Sequence, residues 1–146
     1  LKTAIDTSVV VAAVLGWHEH HVAARVALAA TLRADAVVPT RVLVESYAVL
    51  TRLPAPHRLS PRDAFAVLDG TLRDVAALAA LPPPDHWHAI GDWASRGVAG
   101  GSSYDAEVAI TAARAGATRL LTFNVRHFER VAPPGLEIAA PAPARS

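Results

Sequence analysis

The sequence predicts an α/β fold of three layers, a central parallel sheet of about five strands with helices on both faces. Two observations carry this. Short apolar strands recur along the chain, and each is separated from the next by one or two segments with helical patterning and caps. That alternation is the signature of a parallel sheet covered on both sides. At 146 residues the chain is also the right size for one such domain with a sizeable core.

The elements follow in order. Residues 3–6 form a short strand ending at Asp6. A helix runs from about Ser8 to Leu15 and a second from about His20 to Ala34. Residues 36–39 are a buried strand, and Thr40 can cap a helix running to about Leu53. Ser60 followed by Pro61 is a cap with proline at the first helical position, opening a helix to about Leu72. Residues 74–79 are a poorly patterned strand. Asp85 to Arg96 is a helix closed by Gly97, and Ser102 or Ser103 starts another that ends at Gly116. Residues 118–122 form a strand, Asn124 caps a short helix to about Val131, and residues 136–138 form a last strand. No repeat or linker interrupts residues 1–138, which read as one domain. The Ala/Pro-rich tail 139–146 is expected to fray.

Composition excludes several classes. With no cysteine there is no disulfide scaffold, no thiolate catalysis and no Cys-ligated zinc. A formal net charge of +1 argues against a strongly basic nucleic-acid binder, though not against a local basic patch. The uncharged stretch from Thr7 to Trp17 is well short of the ~20 residues of a spanning helix. Lys2 before apolar residues has the outline of a signal peptide, but Asp6 puts a charge where the apolar region would be. We expect a soluble cytoplasmic protein with no membrane contact.

In sheets of this kind the ligand site lies beyond the carboxyl ends of the strands, so the polar residues there are the candidates. Asp6 ends the first strand, although Asp6, Thr7 or Ser8 could equally be a plain helix cap. Glu45 is the lone charge in Val42-Leu43-Val44-Glu45-Ser46-Tyr47-Ala48-Val49-Leu50. An ionised carboxylate on such an apolar face needs a partner. Asp105 opens the helix after Gly100-Gly101-Ser102-Ser103-Tyr104; standing alone it would be a first-turn acid favoured by the helix dipole. Glu107, two residues on, points to another face and reads as a solvated first-turn acid. Asn124 follows the Leu120-Leu121-Thr122 strand. Oxygen ligands gathered at one sheet edge without lysine partners suit a hard divalent cation, Mg2+ or Mn2+. A cation held this way lowers the pKa of a bound water and stabilises a pentavalent phosphate, which is the chemistry of phosphodiester hydrolysis.

Ala4-Ile5-Asp6-Thr7-Ser8, the isolated Glu45, Tyr104-Asp105-Ala106 and Leu121-Thr122-Phe123-Asn124-Val125-Arg126-His127-Phe128 together resemble a PIN domain, and most closely the VapC-type toxins of bacterial toxin–antitoxin pairs. The resemblance runs from the first strand to about Phe128; it rests on order and spacing rather than on any single motif. It implies a metal-dependent endoribonuclease acting on RNA, dimeric, and inhibited by a cognate VapB-type antitoxin whose C-terminal segment covers the acidic pocket. The family's acidic quartet would fall on Asp6, Glu45, Asp105 and Asn124, with Asp6, Glu45 and Asp105 as metal ligands. Asn124 stands where the family often has aspartate, which leaves the cluster one charge poorer. Thr7 and Thr122 would help at the site by hydroxyl or backbone contacts.

Other polar groups read differently. Arg41, Arg52, Arg58, Arg96 and Arg126 lie near element ends and could meet RNA phosphates, with Arg126, beside Asn124, the best placed. The run His18, Glu19, His20, His21 reads as a solvated helix entry rather than a zinc site. Trp17, Trp87 and Trp93 read as core or interface anchors rather than base-stacking platforms. A PIN-fold or receiver-like binding module without nuclease activity is the alternative. A receiver, however, needs an acidic neighbour for Asp6 and a late lysine, and neither is present.

Overall fold

The computed structural model describes residues 1–143; the last three residues of the expected tail lie outside it. Five parallel strands form one sheet: β1 (Thr3–Ile5), β2 (Ala36–Pro39), β3 (Ala77–Ala79), β4 (Arg119–Leu121) and β5 (Glu137–Ala139). Their order is β3-β2-β1-β4-β5. Seven helices connect them: α1 (Thr7–Val14), α2 (His21–Arg33), α3 (Thr40–Thr51), α4 (Pro61–Leu72), α5 (Asp85–Ser95), α6 (Ser102–Arg114) and α7 (Val125–Glu129). The chain winds outward from β1 to β3, then crosses back to β4 and β5. Helices α1 to α4 pack among themselves, as do α5 to α7, which gives the three expected layers.

The short strands pair because each is apolar where the sheet is covered. Ala4, Ile5, Val38 and Leu120 are fully buried. Helix α1 (Thr-Ser-Val-Val-Val-Ala-Ala-Val) holds three consecutive valines, which have no strong helical preference. It is helical because it is enclosed: Val9, Val10 and Ala12 are wholly buried. Ser60 caps α4 as expected, its hydroxyl accepting from the Asp63 N–H at 3.1 Å. Gly116 ends α6 with φ of +91°, a conformation that favours glycine.

Three expectations are corrected. Thr40 makes no cap bond; it is the first residue of α3, and Pro39 occupies the cap position. Asn124 sits at the cap position of α7, but its side chain makes no cap hydrogen bond. Trp17 and Trp87 are not core residues, being 53% and 82% exposed. The last strand extends to Ala139 because Leu121 pairs with Ala139 and the Thr122 N–H donates to the Ala139 carbonyl at 3.0 Å.

No helix among the described residues is long and apolar enough to cross a membrane. Strand order reverses at β1, between its crossovers to β2 and β4, and a ligand crevice belongs at the carboxyl ends of these central strands.

Candidate active site

Register places the first site residue. Ile5 pairs with Leu121, so Asp6 and Thr122 leave the sheet side by side, and the Asp6 N–H donates to the Leu121 carbonyl at 3.0 Å. Asp6 is nearly buried and also caps α1, its Oδ2 accepting from the Ser8 N–H at 3.4 Å. The cap and the candidate ligand are therefore the same carboxylate. Oδ2 accepts two hydroxyls as well, from Ser8 at 2.8 Å and Thr122 at 2.7 Å. Each hydroxyl is itself held by the β4–α7 loop: the Phe123 N–H donates to Ser8 Oγ at 3.0 Å, and the Asn124 N–H to Thr122 Oγ1 at 2.9 Å. This network fixes one oxygen of Asp6. Oδ1 carries none of these bonds.

Glu45 reaches the same place from α3. Its Oε2 accepts the Thr7 hydroxyl at 3.0 Å, which supplies a partner for a carboxylate standing in an apolar stretch. Asp105 arrives from the first turn of α6. A cleft of about 470 Å³ is lined by Asp6, Glu45, Asp105 and Asn124, together with Thr7, Ser8, His18, His20 and Phe123. Among the described residues, no lysine or arginine lines it. Burial pushes the Asp105 carboxyl above its ordinary value, the charge of Asp6 pushes it further, and His127 opposes the shift while Glu45 adds to it. Three carboxylates thus share one cleft, and His127 acts on Asp105 in the opposite sense.

Among the described residues, no three His, Asp or Glu side chains stand close enough to enclose a metal ion by themselves. The donor set fits a small hard cation that keeps several of its waters, which is how Mg2+ is usually bound.

The remaining predicted residues fall as follows. Thr122 is fully buried and its hydroxyl is engaged with Asp6. Arg126 is exposed on α7, two residues past Asn124, and is not part of the cleft wall. Arg41 is tied to Glu107 and lies over the Tyr104 ring at 4.6 Å. Glu107 is accordingly not a solvated acid. Its side chain is largely buried between Arg41 and His86, whose Nε2 is 3.7 Å from Oε1. Arg96 pairs with Asp92 at 3.0 Å.

Sequence reasoning missed Ser8, His18, His20 and Phe123 as cleft residues. The hint for Ser8 was its place two residues after Asp6. The histidine run is not a plain solvated face: His18 and His20 line the cleft, and His21 Nδ1 lies 2.9 Å from the Ala12 carbonyl. Burial, reinforced by His20, lowers the His18 pKa, and His18 Nδ1 accepts the His20 N–H at 3.0 Å, as a neutral ring does.

Thr122→Val keeps the shape of the side chain and removes the donor to Asp6. The expected loss of stability is about 1.5–3 kcal/mol, the range for a hydrogen bond to a charged group. Urea denaturation checks it; an unchanged midpoint would mean that the network does not hold Asp6.

Residues 3–133 match the family model of the PIN domain. Ribonuclease VapC40 of Mycobacterium tuberculosis is 43% identical over 126 residues, covering 85% of this chain and 87% of that protein. Two solved structures are similar in fold. DNA-bound VapBC of Salmonella typhimurium superposes with a TM-score of 0.69 at 22% identity, over 97% of this chain and 99% of that one. VapC20 of Mycobacterium tuberculosis, described as a sarcin–ricin loop cleaving toxin, superposes with a TM-score of 0.68 at 19% identity, over 86% and 92%.

Proposed function

This chain belongs to the PIN-domain family, among the VapC-type ribonuclease toxins of toxin–antitoxin pairs, and on that premise we propose that it hydrolyses RNA phosphodiester bonds with a divalent cation held by Asp6, Glu45 and Asp105. One observation carries the reading. Three carboxylates from three separate elements converge on one cleft that, among the described residues, has no lysine or arginine in its wall. Such a cluster is unfavourable until a cation fills it.

Mg2+ or Mn2+ bound there would lower the pKa of a coordinated water and offset charge on the phosphate. The chain's own groups have separate tasks. Ser8 and Thr122 hold Asp6 in one orientation, and Thr7 does the same for Glu45. The Asn124 side chain, free of any cap bond, offers both a carbonyl oxygen and an NH2 donor at the rim. An amide is neutral, so Asn124 can face a phosphate oxygen where an acid would repel it. Arg126, exposed just beyond, supplies charge to a neighbouring phosphate of the strand. Residues 1–138 act as the single functional domain. The setting is the cytoplasm, where the RNA is.

A VapB-type antitoxin and a second copy of this chain are the protein partners. An apolar groove of about 330 Å³ between α3 and α4, with Val44, Tyr47, Phe65 and Leu78 exposed around it, supports a protein-covered face. An antitoxin arginine placed against the carboxylates would replace the cation's charge. The relatives are PIN ribonucleases, which does not favour a receiver-like binding module.

The purified chain should cut RNA in Mg2+ or Mn2+ and stop when EDTA is added. Cleavage that persists unchanged in EDTA would remove the cation from the mechanism. An intact RNA with either metal would remove the nuclease reading.

A further inference from the structure

Glu45 and Asp105 stand on helices of different layers. The main neighbours of α3 are α1, α4 and β2, and those of α6 are β2, α5 and α7. Packing of one helix on the other therefore contributes little to the span between these two carboxylates. A cavity of about 330 Å³ opens between them, with Thr40, Arg41 and Val44 on one side and His86, Glu107 and Thr111 on the other. One ion pair bridges it, the Arg41 Nε–H donating to Glu107 Oε2. The other ion pairs among the described residues lie within one helical segment, within the α1–α2 connection, between α5 and α6, or between β4 and β5. Among the described residues, Arg41 and Glu107 alone join the two layers by charge.

We propose that Arg41 is a positioning residue: by holding α6 on both sides of Asp105, it sets the span between Asp105 and Glu45 across which the cation is gripped. The proposal rests on the cation-dependent nuclease reading and names the group that shapes its metal site. Placement supports it on both helices. On α3, Arg41 stands four residues before Glu45, one turn away along the same face. On α6, its guanidinium lies over the Tyr104 ring at 4.6 Å while its Nε–H donates to Glu107. Tyr104 and Glu107 flank Asp105 in the chain. A planar guanidinium can stack on a ring and pair with a carboxylate at once, which an ammonium cannot. The clasp is also shielded from water. The Glu107 side chain is 19% exposed, and His86 Nε2 stands 3.7 Å from its other oxygen. Partly buried pairs of this kind are screened less than exposed ones. Neither Arg41 nor Glu107 lines the carboxylate cleft, so the clasp acts through the two helices and not on the reacting groups. Mg2+ demands near-ideal ligand geometry, and a misplacement of about 1 Å can cost about a hundredfold in rate.

The probe is Mn2+ alone, its free concentration followed by its electron paramagnetic resonance signal as protein is added, with no RNA present. Arg41→Gln should weaken Mn2+ binding about tenfold, the lower end for loss of a group that orients metal ligands. The direction is decisive, because charge by itself predicts the reverse: removing a cation near three carboxylates would tighten Mn2+ binding. Glu107→Gln should weaken binding by a similar factor, and the double variant by no more than either single change, since the pair acts as one unit. In RNA cleavage at saturating Mn2+, Arg41→Gln should lower kcat and leave KM for RNA unchanged. Unchanged or tighter Mn2+ binding by Arg41→Gln, losses that multiply in the double variant, or a KM that rises at unchanged kcat would each overturn the proposal. Its failure is separable from that of the nuclease reading. Mn2+-dependent cleavage with an Arg41→Gln variant that binds Mn2+ like the unaltered protein leaves the nuclease and removes the clasp. Weakened Mn2+ binding by the variant, in a protein that cuts no RNA, leaves the clasp and removes the nuclease.

Discussion

Asp105→Asn should lower RNA cleavage by at least about a hundredfold, the scale of removing one group that stabilises transition-state charge. The same change should leave the metal-free protein no less stable than the unaltered chain. The reason lies in the environment of Asp105, where burial and the charge of Asp6 raise its pKa above the ordinary 3.8. The folded state then holds the proton more readily than the unfolded chain does. The stability this gives is fully present below the unfolded value and is lost as pH climbs through the raised folded value. At pH 7 the ionised Asp105 works against folding, and the amide does not. The advantage of the variant should therefore be larger at pH 7 than at pH 4. Thermal melts at the two pH values check this, and a variant that melts several degrees lower than the unaltered chain at pH 7 would contradict it.

Asp6→Ala should have the opposite effect on stability. The change removes the α1 cap and leaves the buried Thr122 hydroxyl without its acceptor. Loss of the cap costs about 1 kcal/mol, and an orphaned buried donor a further ~1–3 kcal/mol. The sum, about 2–4 kcal/mol, should lower the melting temperature by roughly 4–16 °C for a domain of this size. Asp6→Asn keeps an acceptor oxygen and should recover most of that loss, while neither variant cuts RNA. An alanine variant as stable as the asparagine one would mean that the network around Oδ2 contributes nothing.

The contrast between these two aspartates shows what could be read in advance. Strand residues such as Val37, Val38 and Leu120 were legible because a parallel strand buried on both faces is a short continuous apolar run. β3 was blurred because it lies at the sheet edge with Ala77 and Leu78 exposed, so burial imposes no pattern on it. Glu45 stood out since every neighbour was uncharged, and Thr7 is the partner that such isolation requires. Local cap rules failed where an immediate chain neighbour took over. Asn124 makes no cap bond with its side chain, while its own N–H goes to Thr122, and Thr40 has Pro39 in the cap position before it.

Glu107 differs from its local expectation because of a distant group. A first-turn acid is solvated unless something covers it, and Arg41, 66 residues earlier in the chain, does so. The ring wall of the cleft was hidden too. His18 and His20 follow the end of α1, and only the path of the α1–α2 connection brings His20 against Phe123. Spacing along a sequence carries helix and strand periodicity; it does not carry where two loops meet.

Cation binding at Asp6, Glu45 and Asp105 is most directly tested by thermal melting as Mn2+ is added. A ligand present at 100 times its dissociation constant stabilises by about 2.7 kcal/mol, or roughly 5–11 °C for a chain of this length. The unaltered protein should show that rise, and Asp6→Asn and Asp105→Asn should show little of it. If both variants rise with Mn2+ as the unaltered protein does, these carboxylates do not bind the cation and the site lies elsewhere.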